Sequence, residues 1–439
     1  MDSAFVLAIA LAVFLVVFIK TEFGLYLVVF SMLLSPQLGA GGALAEGRRF
    51  VIRSEDILLL VVALSWLAKT AVNKELGLTL KTPLNRPIFA YLVATALATL
   101  AGYATGTVQG LGGFFYVLKY IEYFVVYFMV VNNLGDRPQV WRLVTAAFLT
   151  AVIVSLIGAS QIPSGERVSA PFEGKEGEPN TLGGYLLLML AIAGGIALET
   201  TRIRVRAVCL GLVALMGLPF AYTLSRASFL GVPFVLGTLA AFSTRRRVVA
   251  LALLLAMVAS PLMFTLLPTP VVNRLLYTFQ PETGQATVKL GRVAFDPSTS
   301  ARLISFQSAL AGWVKHPFLG YGVTGFAFMD AQYARTLVET GIIGLGAFLW
   351  LAWSVFRGGV GSIRSLADGD ERGLALGFVA GLVGLLVHAI GANTFIIVRI
   401  MEPFWFFAAV VIALPVLAAQ ETAAPAHPLR PVRPARHVA

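Results

Sequence analysis

Residues 180–199 read NTLGGYLLLMLAIAGGIALE, a stretch that carries no charge before Glu199. A helix rises about 1.5 Å per residue, so this length matches the roughly 30 Å hydrocarbon core of a bilayer. Runs of the same kind continue in both directions. Upstream they lie at 4–19, 23–40, 56–73, 87–107, 113–132 and 142–160. Downstream they lie at 207–223, 227–243, 249–267, 339–356, 374–391 and 395–417. About 13 such spans predict an all-α polytopic membrane protein. Composition agrees. Of 439 residues, 58% are hydrophobic and 13% charged, against about 25% charged in soluble domains. Mean hydropathy is +0.84. These values exclude an ordinary soluble enzyme, a disordered chain and a disulfide-stapled scaffold. Cys209 is the single cysteine, so there is no intramolecular disulfide and no cysteine-based metal site. The first span lacks a basic start and a small-residue cleavage site, and reads as membrane sequence rather than a cleaved leader.

The net charge of +11 would suggest nucleic acid in a soluble protein. In a membrane protein it follows from basic loops instead, and no nucleic-acid partner is expected. Arg202, Arg204 and Arg206 form one basic loop and Arg245, Arg246 and Arg247 another. Arg357, Arg364 and Arg372 belong to a third, and Arg430, Arg433 and Arg436 to the tail. They alternate with loops lacking a basic excess, which places them in the cytoplasm. Loops 41–55 and 161–179 then lie outside, as does the long segment 268–338. The chain divides accordingly. Residues 1–267 are an N-terminal bundle of about ten helices. Residues 268–338 are an extracytoplasmic loop, 339–418 the C-terminal helices, and 419–439 a Pro/Arg-rich cytoplasmic tail near anionic lipid. Within the loop, Ser298 and Ser300 are candidate caps for an amphipathic helix near 301–314. Leu303, Phe306, Leu310 and Trp313 form its apolar stripe.

Several polar residues stand out against this background. Ser225-Arg226-Ala227-Ser228 separates two apolar spans, and an arginine at membrane depth is costly unless partnered. Arg226 is either an interfacial arginine reaching headgroups or a guanidinium fork aimed at phosphate. Arg302, on the loop helix, is either a solvated residue or a second such fork. Lys119 and Glu122 are three apart on one helix face, as an ion pair or as the lining of a polar cavity. Asp330 reads as a helix cap or a general base, with Tyr333 one turn on. Glu339 reads as an interfacial acid or a partner of an arginine. His388 lies inside a span, buried and hydrogen-bonded or lining a cavity. Gly320-Tyr321-Gly322-Val323-Thr324-Gly325 fits a dinucleotide fingerprint in letters only. No strand precedes it, so it reads as a tight turn. No His, Asp and Glu cluster has metal-ligand spacing.

Three stretches together resemble the O-antigen ligase and O-antigen polymerase superfamily of bacterial envelope glycosyltransferases. They are Thr223 through Ser228, Ser300-Ala301-Arg302 through His316-Pro317-Phe318-Leu319-Gly320-Tyr321-Gly322, and Tyr333 through Leu345 with Glu339-Thr340-Gly341 inside it. A looser match opens the span at Asn180-Thr181-Leu182-Gly183-Gly184-Tyr185. The resemblance implies a GT-C-type membrane glycosyltransferase acting on undecaprenyl-diphosphate-linked oligosaccharide at the outer face of the bacterial inner membrane. It implies no cofactor and no metal, with Arg226 and Arg302 binding the diphosphate. Ligases of this superfamily carry a histidine before the Glu-Thr-Gly stretch. Here Asp330-Ala331-Gln332-Tyr333 stands there, a pattern similar to the exopolysaccharide polymerase branch. Asp330, Glu339 and Tyr333 are then the catalytic candidates, and Arg167, Asn180, Lys119, Glu122 and His388 candidates for the substrate cavity. Polymerisation of repeat units, with a chain-length regulator as a possible partner, is the leading expectation. Transfer to lipid A core, and transport of lipid-linked oligosaccharide, are the alternatives.

Overall fold

The computed structural model describes residues 3–45, 48–72, 81–172, 177–251, 268–278, 280, 288–290 and 293–423. The expected span at 249–267 and the tail beyond residue 423 lie outside the described residues, apart from positions 249–251. The first half is α1 (Ser3–Ile19), α2 (Thr21–Leu34), a hairpin of β1 (Gln37–Ala45) and β2 (Arg48–Arg53), α3 (Ser54–Val72), α4 (Asn85–Ala104), α5 (Gly112–Asn133) and α6 (Arg137–Gln161). Then come α7 (Pro179–Glu199), α8 (Ile203–Tyr222), α9 (Arg226–Phe242), α10 (Thr269–Tyr277), a short hairpin of β3 (Lys289–Leu290) and β4 (Val293–Ala294), and α11 (Pro297–Trp313). The chain closes with α12 (Gln332–Ser365), α13 (Asp370–His388) and α14 (Val398–Ala423).

Among the described residues, eight helices are long and apolar enough to cross a membrane: α4 to α8 and α12 to α14. Shorter apolar helices occupy Leu7–Ile19, Thr21–Leu34 and Arg226–Phe242. The protein is an all-α polytopic membrane protein. One expected span is shorter than its hydropathy suggests. The run at 23–40 stops as a helix at Leu34. Pro36 cannot continue the hydrogen-bond ladder, and Gly39, Gly41 and Gly42 favour no helix. The chain turns instead into the β1–β2 hairpin, in which Gln37 pairs with Arg53 and Ala45 with Arg48.

The centre of the bundle is α7, packed on α13. Lipid tails are as apolar as side chains, so burying apolar surface does little to join membrane helices, and close van der Waals packing has to do it. Here glycines provide the closeness. Gly373, Gly377, Gly381 and Gly384 line one side of α13 and face Leu187, Leu188, Ala191, Ile192 and Gly195 of α7. A Cβ at Gly377 would stand 2.5 Å from the Ala191 carbonyl oxygen, and one at Gly373 would stand 2.7 Å from that of Gly195. At Gly384 a Cβ would lie 2.5 Å from Val235 Cγ2, so the seam extends to α9.

The loops sort to two ends. Glu199 at the end of α7 accepts from Ser243 Oγ (2.5 Å), from Thr244 N (2.9 Å) and from Arg372 Nε (3.3 Å). This gathers the connections after α7, after α9 and before α13 at one end. At the other end Asn180 meets Ser225, Gln332 N donates to Ala389 O (3.1 Å), and Thr107 Oγ1 donates to Tyr321 O (2.7 Å). This second end carries the segment around residues 268–338 and is called the loop face. Arg399, buried at the start of α14, bolts it together by donating to Pro171 O and to Ser35 O (2.8 Å).

Candidate active site at the loop face

The turn before α9 is built first. Ser225 Oγ caps the helix at Ser228 N (3.4 Å) and donates to Asn180 Oδ1 (2.8 Å) in the first turn of α7. Leu224 is left-handed, with φ of 49°. A leucine held there costs about 1–3 kcal/mol. The conformation is clamped from outside: Arg167 donates from Nε to Thr223 O (3.0 Å) and from Nη2 to Leu224 O (3.3 Å). Arg167 and Asn180 thus fix the turn that presents Arg226.

Arg226 reaches the next element. Nη1 donates to Asp296 Oδ2 (2.7 Å) and Thr278 Oγ1 (3.0 Å). Nη2 donates to Asp296 Oδ1 (2.9 Å) and to Ser298 Oγ. Asp296 is fully buried and caps α11, accepting from Ser298 N (3.1 Å) and Thr299 Oγ1 (2.6 Å), with Pro297 following it. Burial resists ionisation of this carboxyl. The hydrogen bonds from Arg226 and Thr299 outweigh burial and hold it well below the usual carboxylate range.

The structure therefore corrects the expected helix near 301–314. It starts at Pro297 and its cap is Asp296, not Ser298 or Ser300. Its buried face is also different. Ala309 and Gly312 are buried, and Ala309 clusters with Met329, Ala331, Ala334 and Val338, whereas Leu310 is 51% exposed. Small residues let the helix approach α12 closely, and of the expected stripe Phe306 packs against the same cluster while Leu310 faces away.

Arg302 is the second expected arginine. Its Nη1 lies 3.5 Å from Ser298 Oγ and its Nη2 donates to Asp330 Oδ2 at 3.3 Å. Arg226 and Arg302 therefore meet at one hydroxyl, and Asp330 stands beside Arg302. This pair is more open than the first, with side chains 27% and 37% exposed. Asp330 does not cap α12, whose N-cap is Ala331 with no side-chain bond.

The other expected residues go elsewhere. Tyr333 donates its hydroxyl to Leu386 O (2.6 Å). Glu339 pairs with Arg335 Nε (3.0 Å) and accepts from Thr324 N (3.1 Å), with both side chains buried. Lys119 pairs with Glu122 (2.9 Å) and with Asp56 of α3. His388 is fully buried, with Nδ1 2.7 Å from Thr394 Oγ1. The structure gathers Arg167, Asn180, Arg226, Arg302 and Asp330, and leaves Glu339, Tyr333, Lys119 and Glu122 on supporting contacts.

Glu339-Thr340-Gly341 has a different task. Gly341 has φ of 64° and breaks α12. Tyr321 N donates to Val338 O (3.0 Å), Gly322 N to Glu339 O (2.8 Å) and Ile342 N to Pro317 O (2.9 Å). Gly320 is also left-handed, φ 65°, and a side chain there would collide with Val338 O. The glycine-rich stretch is a turn stitched over the helix break, as expected.

Sequence reasoning missed Asp296, Arg335 and Arg274. Asp296-Pro297 followed by hydroxyl residues is a helix-start signature, and Arg335 sits four residues before Glu339 on one helix face. Arg274 gave no local signal. Burial and the neighbouring guanidinium groups of Arg274, Arg226 and Arg302 pull Arg167 down to about 10. Arg274 is pushed down as well, by burial and then by Arg226. Four guanidinium groups thus crowd one region. Burial and the Asp330 carboxylate push Glu178 up, so a second acid lies near Asp330.

The O-antigen ligase family model matches residues 211–349, from α8 into α12. That region is similar to the O-antigen ligase family, which supports a membrane glycosyltransferase of ligase or polymerase type. No curated protein matches the chain.

Proposed function

We propose that the protein transfers a glycan from undecaprenyl diphosphate to a sugar hydroxyl, polymerising O-antigen or exopolysaccharide repeat units with inversion. The loop face is then the outer face of the bacterial inner membrane and the C-terminus is cytoplasmic. One observation carries the reading: Arg226 and Arg302 converge on Ser298 with Asp330 beside Arg302, all within the matched region.

The chemistry follows from charge. The acceptor oxygen attacks the anomeric carbon from the side opposite the diphosphate. The bond from that carbon to the diphosphate oxygen breaks, and its electron pair leaves with the diphosphate. Negative charge grows on the leaving group, and preorganised guanidinium groups near a water-poor surface stabilise it. Asp330 takes the hydroxyl proton as general base. Tyr333 and Glu339 take no part in the proton transfer and hold the scaffold through Leu386 and Arg335.

The matched family is described as O-antigen ligase, which makes transfer to lipid A core the second reading. Purified protein incubated with a lipid-linked repeat unit, with and without core, separates the two. A ladder without core supports polymerisation, and product only with core supports ligation. Arg302→Ala is expected to slow either reaction by about 10²–10³-fold. Undiminished product from Arg302→Ala would overturn the proposal, as would translocation of the glycan without bond formation.

A further inference from the structure

We infer that Arg274 contacts the anionic leaving group directly alongside Arg302, while Arg226 is a positioning residue. The inference rests on the reading of a diphosphate donor and asks which guanidinium groups touch it.

A guanidinium carries five N–H donors, four of them on its terminal nitrogens. For Arg226 all four terminal donors are taken: two by Asp296, one by Thr278 and one by Ser298. Its charge is cancelled by a fully buried carboxylate. A ligand oxygen arriving at Arg226 would have to displace an internal fork. Arg226 instead ties the end of α10 to the start of α11, because Thr278 and Asp296 also join through Asp296 N to Thr278 O (3.1 Å).

Arg302 and Arg274 are different. Each has a buried Nε–H with no hydrogen-bond partner. Buried donors are nearly always paired, and an exception inside a functional region calls for a water, an ion or a ligand to complete it. Among the described residues Arg302 makes only two contacts, both long, at 3.3 and 3.5 Å. Arg274 lies on α10, one turn before Thr278, and its guanidinium stands 5.8 Å from the centre of the Tyr277 ring. The residue that Arg226 grips thus carries Arg274 with it. Behind them, Arg167 is committed to the Thr223 and Leu224 carbonyls. Among the described residues, no carboxylate bonds to Arg274 or Arg167. Among the described residues the region holds more positive charge than its acids offset, and the chemistry that matches is a ligand with several anionic oxygens, such as a diphosphate.

The test uses full-length protein in detergent, with inorganic pyrophosphate and inorganic phosphate as probes and the lipid-linked repeat unit as donor. Wild type is expected to bind pyrophosphate more tightly than phosphate. Arg274→Ala should weaken pyrophosphate binding and raise the donor KM by about tenfold or more, which is about 1.4 kcal/mol. The acceptor KM should stay within about twofold. Arg274→Lys keeps a cation without the planar fork and should recover part of the loss. Arg274→Gln keeps donors without charge and covers the case in which the alanine variant fails to fold. If Arg274→Gln and Arg274→Ala retain pyrophosphate affinity and donor KM while Arg302→Ala loses both, the inference is wrong and the diphosphate reading stands. If wild type binds no pyrophosphate and uses no diphosphate-linked donor, both fall together.

Discussion

The α7–α13 seam and the arginine assembly at the loop face are built on opposite physical terms. The seam has no charge, and its α13 side presents almost no side-chain volume to α7. It holds because Gly373, Gly377 and Gly381 bring two backbones together where lipid would otherwise stand. The assembly has charge in excess and is held by hydrogen bonds between segments far apart in sequence. Arg226 and Asp296 are 70 residues apart, and Arg302 and Asp330 are 28 apart. A seam of packed backbones has one arrangement and no spare valence. An assembly of forks and carboxylates keeps unmatched donors, and unmatched donors are what a substrate uses. Rigidity and reactivity are thereby placed in different parts of one bundle, with the turn at Ser225 joining them through Asn180.

Four changes would break or sharpen that contrast. Asp296→Asn should do most. Removing one partner of a buried ion pair costs about 3–5 kcal/mol, read as a lower melting temperature with loss of transfer. The pH dependence has a definite sign. Asp296 is depressed in the folded protein relative to an unfolded value of about 3.9. Its contribution is therefore fully present above about pH 4 and is lost as pH falls through the depressed value. The asparagine variant should lack this acid-side loss. A melting temperature that falls equally on acidification in both proteins would contradict the assignment.

Gly377→Leu comes next. Overpacking against the Ala191 carbonyl should cost about 1–3 kcal/mol, and thermal unfolding in detergent measures it. An unchanged midpoint would mean the seam is not a tight contact. Tyr333→Phe should lose one hydrogen bond, to Leu386 O, worth about 1 kcal/mol. Its transfer rate should stay near wild type, and a collapse in rate would return Tyr333 to the reaction. The smallest effect is expected at Gly217 of α8, where a Cβ meets nothing within 4 Å. Gly217→Ala should be neutral or stabilising by up to about 1 kcal/mol. Pairing it with Gly377→Leu separates glycine used for contact from glycine merely present.

Much of the bundle was legible because hydropathy is local. The stretch at 180–199 and its neighbours declare themselves by length and the absence of charge. The limits of that signal show at Leu34, where Pro36 and three glycines end a helix that remains apolar beyond it. Arg226, Arg302 and Asp330 were legible as candidates, since charged residues beside apolar spans are rare. Their partners were not, because Asp296 and Thr278 reach Arg226 only after 268–300 has folded back. The helix at 297–313 misleads for a related reason. Its bulky apolar residues attract notice, yet Leu310 is exposed, and Ala309 and Gly312 make the close contact together with Phe306. Tyr333 and Glu339 stand out in a motif, and periodicity does not reveal the carbonyl and the arginine to which they bond.

Ser298 deserves a proton count. A hydroxyl has two lone pairs and one hydrogen. Arg226 and Arg302 both point N–H groups at its oxygen, which fills both lone pairs. Among the described residues its own hydrogen is given to none of the neighbours. An oxygen flanked by two cations is drained of electron density, so that hydrogen is a strengthened donor left over for an oxygen on the side away from the two forks.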